Sequence, residues 1–174
     1  VWDRYRKTDG NSWEYDVVAP GYKYNATDLA SAIGLEQLKK AEDLLQRRRR
    51  IALRYNSALG GMDFLTIPPD GEGNAWHLYV IRLNLERLSI DRNGFISSLA
   101  EAGVGTSVHY KPLHLMRYYR QTYGFRPHDF PVALQTFQEA LSLPIYPDMT
   151  DEQIEHVVSA VLNIGHAHRK RSAL

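Results

Sequence analysis

Two short segments carry side chains whose types and spacing could do chemistry. The first reads GYKYN at residues 21–25, and the second reads HYKPLH at residues 109–114. An ammonium group can neutralise a phosphate, and imidazole and phenol groups can bond hydroxyls. The second segment lies where a predicted strand gives way to a loop, which is a common place for binding sites. Functional and purely structural roles for His109 and His114 remain equally open on these grounds.

The histidines and glycines do not form the usual catalytic motifs. There are seven histidines but no His-Glu-x-x-His pattern, no cysteine and no carboxylate pair at ligand spacing, so no metal site is expected. His77 falls inside a predicted buried strand and is interpreted as a hydrogen-bonded structural residue. The glycine-rich loops that bind nucleotide phosphates and the nucleophile elbow of hydrolases are absent as well.

Composition predicts a soluble domain without a global electrostatic field. The 174 residues are 44% hydrophobic, carry a formal net charge of +1 and include no apolar run long enough to span a bilayer. We therefore expect no membrane or nucleic-acid partner and, from the lack of cysteine, a cytoplasmic location. A nucleic-acid-binding alternative would use the basic runs at residues 47–50 and 168–171. Four successive arginines spread around a helix, however, and make no flat basic face.

Helical spacing and turn signals divide the chain into three predicted parts. Residues 1–26 are aromatic and irregular and predict an ordered loop. Residues 27–60 predict one long helix or two in tandem, which would start at Thr27 and end at two glycines. Residues 61–174 predict a small α+β domain.

The elements predicted inside that small domain have clear start and stop signals. Asp91 and Thr150 are candidate helix caps, and the basic tail from His166 is expected to fray. The predicted elements are a central strand at 75–83, a helix from Asp91 to Ala102, a strand at 104–110, a helix at 115–123, a helix at 131–141, a strand at 142–145 and a last helix after Thr150.

Seven segments, taken in order, resemble one enzyme family. The chain is similar to the DegT/DnrJ/EryC1/StrS sugar aminotransferases over nearly its whole length. The matching segments are PGYKYNATD (20–28), AIGLEQL (32–38), RRRRIALRY (47–55), WHLY (76–79), GVGT (103–106), HYKPLH (109–114) and SLPIYP (142–147). Each is weak evidence alone, but their shared order makes an accidental likeness untenable.

The resemblance implies a fold and a reaction. It implies the C-terminal small domain of an aspartate-aminotransferase-like, fold type I enzyme, with a short antiparallel sheet covered by helices and preceded by a long helical arm. Such enzymes use pyridoxal phosphate to pass an amino group from glutamate or glutamine to a keto sugar carried on a nucleotide. Their Schiff-base lysine lies upstream of the Gly-Tyr loop within Ser-x-x-x-Lys, a context that Lys7 lacks. We therefore expect a fragment that contains no catalytic residue and is inactive alone.

The resemblance also implies roles for individual residues. In a homodimer, Lys23 and Asn25 would reach the phosphate of the partner subunit's cofactor. Relatives have Gly-Tyr-Asn-Tyr-Arg here, so which of the two meets the phosphate stays open. His109, Tyr110 and His114 would line the substrate side of the cleft and bind the nucleotide sugar. The alternative to an aminotransferase fragment is a non-catalytic regulatory or binding domain of the same fold.

Overall fold

The computed structural model describes residues 22, 24–71 and 73–170, and their packing divides the chain into two units between Lys40 and Ala41. The first unit contains helix α1 (Asp28–Leu38). It begins as predicted, because the Thr27 hydroxyl accepts a hydrogen bond from the Ala30 N–H at 3.2 Å. None of its residues is buried. Of the two alternatives for residues 27–60, two helices are present.

The second unit is a small antiparallel sheet covered by helices, as the predicted fold class requires. The three strands are ordered β1-β2-β3, so β2 is the central strand that the sequence predicted. Leu65 lies opposite Leu83, and Tyr79 lies opposite Leu143. The elements are α2 (Ala41–Leu59), β1 (Leu65–Thr66), β2 (Tyr79–Leu83), α3 (Arg92–Glu101), α4 (Arg117–Tyr123), α5 (Pro131–Glu139), β3 (Ala140–Leu143) and α6 (Asp151–Ala167), with short 3-10 turns at Leu113–Leu115 and Pro127–Asp129.

Two helices of this unit begin at the capping residues that the sequence predicted. The Asp91 carboxylate accepts from the Gly94 N–H at 2.8 Å and starts α3. Thr150 and Gln153 form a reciprocal capping box that starts α6. These caps satisfy backbone N–H groups that a helix start leaves unpaired. Both predictions are confirmed.

The core lies where the sheet meets α2, α3 and α6. Its largest fully buried side chains include Tyr55, Tyr79, Phe64, Phe95 and Ile154. The Tyr55 and Tyr79 rings meet edge to face at 4.9 Å. Their hydroxyls donate to the Pro144 carbonyl and to Asn56 Oδ1 at 2.8 and 2.7 Å. Burial raises the pKa of both tyrosines well above its ordinary value, so both stay neutral.

Three strand predictions are wrong: one predicted strand is absent, and two have different limits. No strand forms at 104–110, because after Gly103 turns the chain with a φ of +78° only Ser107 pairs with β3. The central strand starts at Tyr79 rather than at residue 75, since Trp76 takes a positive φ of 50°. β3 spans Ala140–Leu143 instead of 142–145, because pairing with β2 ends α5 early.

Two further expectations are corrected by the same structure. His77 is exposed, because it precedes the shortened strand instead of lying within it. The tail is held in place as far as Lys170, whose N–H donates to the Arg87 carbonyl at 2.8 Å. Arg169 pairs with Asp63 at 2.6 Å. Long-range partners thus fix a segment that looks like a fraying end in sequence.

Gly165 on α6 is buried against Phe64, and a Cβ built there would overlap the phenyl ring. We predict that Gly165→Ala lowers stability by about 2 kcal/mol, since overpacking outweighs the gain in helix propensity. The midpoint of thermal unfolding should fall by about 4–8 °C. Gly34→Ala is the matched control, because its Cβ would meet nothing within 4 Å. An equal loss in both variants would contradict the packing argument.

Candidate functional site

The ring of His109 is fixed by β3. The Ser142 N–H donates to the Ser107 carbonyl at 2.7 Å, and the Ser107 N–H donates back to the Ser142 carbonyl at 3.3 Å. This single bridge places the segment around Ser107 beside β3. His109 Nδ1, two residues further on, lies 2.8 Å from the Ser142 hydroxyl. Ser142 is buried. The contact occupies Nδ1 and leaves Nε2 as the imidazole atom available to a ligand.

Tyr110 follows His109 and lies on the surface. Its side chain is 76% exposed, and its ring meets the His109 ring edge to face at 4.8 Å. Within the described ranges its hydroxyl makes no hydrogen bond to the protein. The structure thus brings the imidazole and the phenol together, with the phenol directed to solvent.

His114 is the third predicted site residue, and it is buried. Its side chain is 6% exposed and its ring lies 4.9 Å from that of Phe130. Among the described residues, its Nε2 is the one buried side-chain nitrogen or oxygen without a hydrogen-bond partner. An unpaired buried polar atom costs free energy and calls for an explanation.

The Gly-Tyr loop belongs to the first unit. Lys23 lies outside the described residues, and Asn25 is exposed. Tyr22 and Tyr24 are exposed as well, with rings stacked at 5.5 Å. Two phenols and an amide are all hydrogen-bond donors, so the described part of the loop fits a phosphate group chemically.

Three of the four arginines at residues 47–50 bind other parts of the protein. Arg47 pairs with Asp148 at 3.2 Å, and Arg50 pairs with Asp151 at 3.1 Å. Arg48 donates to the backbone carbonyls of Trp76 and Ile145 at 3.2 and 2.9 Å. As the sequence predicted, the run forms no single basic face, and this leaves the nucleic-acid alternative without its main surface.

Over the described ranges, no group of three or more histidine, aspartate or glutamate side chains is placed to hold a metal ion. None of the helices described is long and apolar enough to cross a membrane. The candidate site residues His109, Tyr110 and His114 all lie in the segment that follows Ser107.

Comparison with known proteins decides the family. Residues 3–162 match the DegT/DnrJ/EryC1/StrS aminotransferase family. The chain belongs to this family. The resemblance that the sequence segments suggested is thereby confirmed.

Relatives and solved structures agree with the family assignment. The chain is 44% identical over 171 residues to the uncharacterized protein MJ1066 of Methanocaldococcus jannaschii, covering 97% of the chain and 44% of that protein. It is 40% identical over 167 residues to the spore coat polysaccharide biosynthesis protein SpsC of Bacillus subtilis, covering 94% and 42%.

Among solved structures, a putative sugar aminotransferase of Streptococcus pneumoniae in its PLP form matches with a TM-score of 0.76 and 35% identity, covering 90% of this chain and 40% of that one. Helicobacter pylori PseC, an aminotransferase involved in pseudoaminic acid biosynthesis, matches with a TM-score of 0.75 and 26% identity, covering 91% and 43%. The chain thus spans about two fifths of the length of these aminotransferase family members.

Sequence reasoning missed the residues that support the site. Ser142 is 33 positions from His109, and Phe130 is 16 positions from His114, so no local pattern links the pairs. The only available signal was the SLPIYP segment, which the family resemblance singled out without a role. Contacts between residues this far apart in the chain can be recognised only in the tertiary structure, where β3 and the loop are adjacent.

The unpaired Nε2 of this family member can be tested by a stability measurement. We predict that His114→Leu raises the free energy of unfolding by about 1 kcal/mol, because it removes a buried polar atom that has no partner in the described part of the chain. The thermal midpoint should rise by about 2–4 °C. His156→Leu is the control and should lower the midpoint, since it removes a 2.8 Å contact with the Ala102 carbonyl. A lower midpoint in His114→Leu would contradict the claim that the unpaired nitrogen destabilises the fold.

Proposed function

We propose that the chain is the C-terminal part of a pyridoxal-phosphate-dependent aminotransferase that passes an amino group from glutamate or glutamine to a keto sugar carried on a nucleotide. The observation that carries the proposal is the match with a sugar aminotransferase in its PLP form, at 35% identity over 90% of this chain. The family match over residues 3–162 supports it independently.

The cofactor role of the Gly-Tyr loop is supported by its donor set. Asn25, Tyr22 and Tyr24 are exposed, and each can donate a hydrogen bond to a phosphate oxygen. We assign Lys23 and Asn25 to the phosphate of the partner subunit's cofactor in a homodimer, where an ammonium group would neutralise the dianion. When bound, pyridoxal phosphate would carry the amino group between the donor and the keto sugar.

The substrate role falls to the loop beside β3. Ser142 holds the His109 ring in place. The Nε2 atom of His109 can therefore bond a sugar hydroxyl without a further loss of side-chain rotational freedom. Tyr110 presents an exposed hydroxyl that can donate or accept. His114 is the third proposed contact, and its buried Nε2 would have to become accessible before a sugar hydroxyl could satisfy it. These three side chains bind and orient the sugar, and we give none of them a catalytic role.

The organisation of the whole enzyme is part of the same proposal. Residues 1–26 would belong to the end of a large domain, residues 27–60 would connect it, and residues 61–174 would form the small domain. The described packing places α2 against α6, so residues 41–59 of the connecting part would be anchored on the small domain. The absence of cysteine suits a reducing compartment, and we propose the cytoplasm.

The proposal predicts a difference between the chain and the polypeptide its gene encodes. The natural product should be roughly two and a half times as long, since this chain spans about 40–44% of its relatives. With glutamate and pyridoxal phosphate that product should release 2-oxoglutarate and change its absorbance in the visible region. The 174-residue chain alone should do neither. Intact mass and a coupled 2-oxoglutarate assay measure both.

The regulatory alternative makes the opposite prediction. A natural product of 174 residues that binds no pyridoxal phosphate would support it and reject the aminotransferase proposal. A longer product that binds the cofactor but transfers no amino group to any keto sugar nucleotide would reject the sugar substrate alone.

The contact between Ser142 and His109 predicts that a substitution at Ser142 changes KM and kcat of the active enzyme to different extents. Ser142→Ala should raise KM for the nucleotide sugar about tenfold while changing kcat less than about twofold, because it frees a ring that only positions substrate. Ser89→Ala is the matched control, since it removes a similar serine–histidine contact, of 3.5 Å to His168 Nδ1. A fall in kcat with unchanged KM would contradict the positioning role.

A further inference from the structure

Residues 110–130, here called the lid, form a layer of their own on the second unit. Among the described residues, neither the core nor the partly buried apolar residues packed against it include any residue of the lid. Helix α4, which lies within the lid, has no buried residue. The lid therefore contributes little of the apolar burial that stabilises the unit.

The hydrogen bonds of the lid are local. At its end, the Phe130 carbonyl accepts from the Leu134 N–H at 3.0 Å, which starts α5. Over the described ranges, no other residue of the lid makes a hydrogen bond or an ion pair with the rest of the protein. Its backbone bonds join near neighbours, as between the Gly124 N–H and the Arg120 carbonyl at 3.1 Å. Lifting the lid would therefore break almost no hydrogen bonds to the body of the unit.

The segments on either side of the lid, in contrast, are attached to the sheet. Before the lid, His109 Nδ1 lies 2.8 Å from the hydroxyl of Ser142 on β3. After it, Glu139 of α5 pairs with Arg82 of β2 at 2.6 Å. A segment that is held at both ends and makes few bonds between them can move as one body about those ends.

A series of ring contacts holds the lid together. Neighbouring ring centres lie 4.9–6.1 Å apart along Tyr118, Tyr119, Tyr123, Phe125, Phe130 and His114. The last of these contacts joins a residue near the start of the lid to the residue at its end. His114 is also the one lid residue that is buried. Aromatic packing, rather than hydrogen bonding, therefore keeps the lid closed over the His114 ring.

We propose that the lid opens as one unit while the core stays folded, and that opening uncovers His114 Nε2 for a ligand hydroxyl. With the lid closed, this nitrogen has no partner among the described residues, whereas water can bind it when the lid is open. A sugar hydroxyl that pairs with it would favour the closed lid, because it removes that penalty. The identity of the ligand rests on the proposed function, to which the lid adds the movement that admits it.

Modification of histidines by diethyl pyrocarbonate, followed by peptide mass spectrometry, tests the lid in the 174-residue chain. His114 should react more slowly than the exposed His77 of the same chain, because it reacts only while the lid is open. Urea below the unfolding transition should change the His114 rate little, since opening the lid exposes far less surface than unfolding does. A His114 rate that rises with urea in step with the unfolded fraction would overturn the proposal, as would a rate equal to that of His77.

A glycine pair supplies matched variants. Gly124 ends α4 with a φ of +70°, and Gly61 follows α2 with a φ of +88°; a Cβ at either would meet nothing within 4 Å. α4 has seven residues and is too short to persist away from the domain, so opening releases strain at Gly124. Gly124→Ala should therefore raise the His114 rate about fivefold or more. Gly61→Ala should change it less than about twofold, since that strain lies outside the lid.

Phe125→Leu is a second lid variant, in case Gly124→Ala does not fold. It weakens the ring contacts with Tyr123 and Phe130 and should also raise the His114 rate. An unchanged rate in a folded lid variant, or an equal rise in Gly61→Ala, would overturn the lid. Such a result leaves the proposed function in place. Because the measurement needs neither cofactor nor substrate, a full-length product that transfers no amino group would reject the proposed function and leave the lid in place.

Discussion

The attachment of α2 to backbone carbonyls at the end of the sheet is the constraint on which the second unit depends. Arg48 donates to the carbonyls of Trp76 and Ile145, and Tyr55 donates to that of Pro144. These carbonyls lie just before β2 and just after β3, where the strands leave the sheet and lose their ladder partners. One helix thereby satisfies groups that would be costly to bury unpaired. The position of β3, and with it Ser142 and His109, follows from this attachment.

The same attachment holds an unfavourable backbone conformation in place. Trp76 has a φ of +50°, which is rare for a residue with a large side chain. Its N–H donates to Asn74 Oδ1 at 2.8 Å and its carbonyl accepts from Arg48, so both of its backbone groups are fixed. Its ring stacks on Tyr79 at 5.8 Å. The aromatic series Tyr55, Tyr79 and Trp76 thus joins α2 to the central strand.

Most charged groups on the facing parts of α2 and α6 are paired within the unit. The exposed ion pairs between α2 and the α6 region contribute about 0–1 kcal/mol each and mainly fix orientation. The backbone N–H of Glu152 and the Thr150 hydroxyl lower the pKa of Glu152, which keeps a negative charge at the N-terminus of α6. Among the described residues, the buried His114 Nε2 has no hydrogen-bond partner, in contrast to these paired groups.

The sequence by itself determined the helix starts at Thr27, Asp91 and Thr150, because capping and helical periodicity act within a few residues. It also singled out the segment from His109 to His114. The family, and with it the detailed fold class, came from the resemblance of seven ordered segments. Tertiary structure alone decided the strand limits, because pairing with β2 and the turn at Gly103 outweigh local β-propensity. It likewise decided that Ser142 holds His109 and that His114 is buried with no partner for its Nε2 among the described residues, since those facts depend on contacts between residues far apart in the chain.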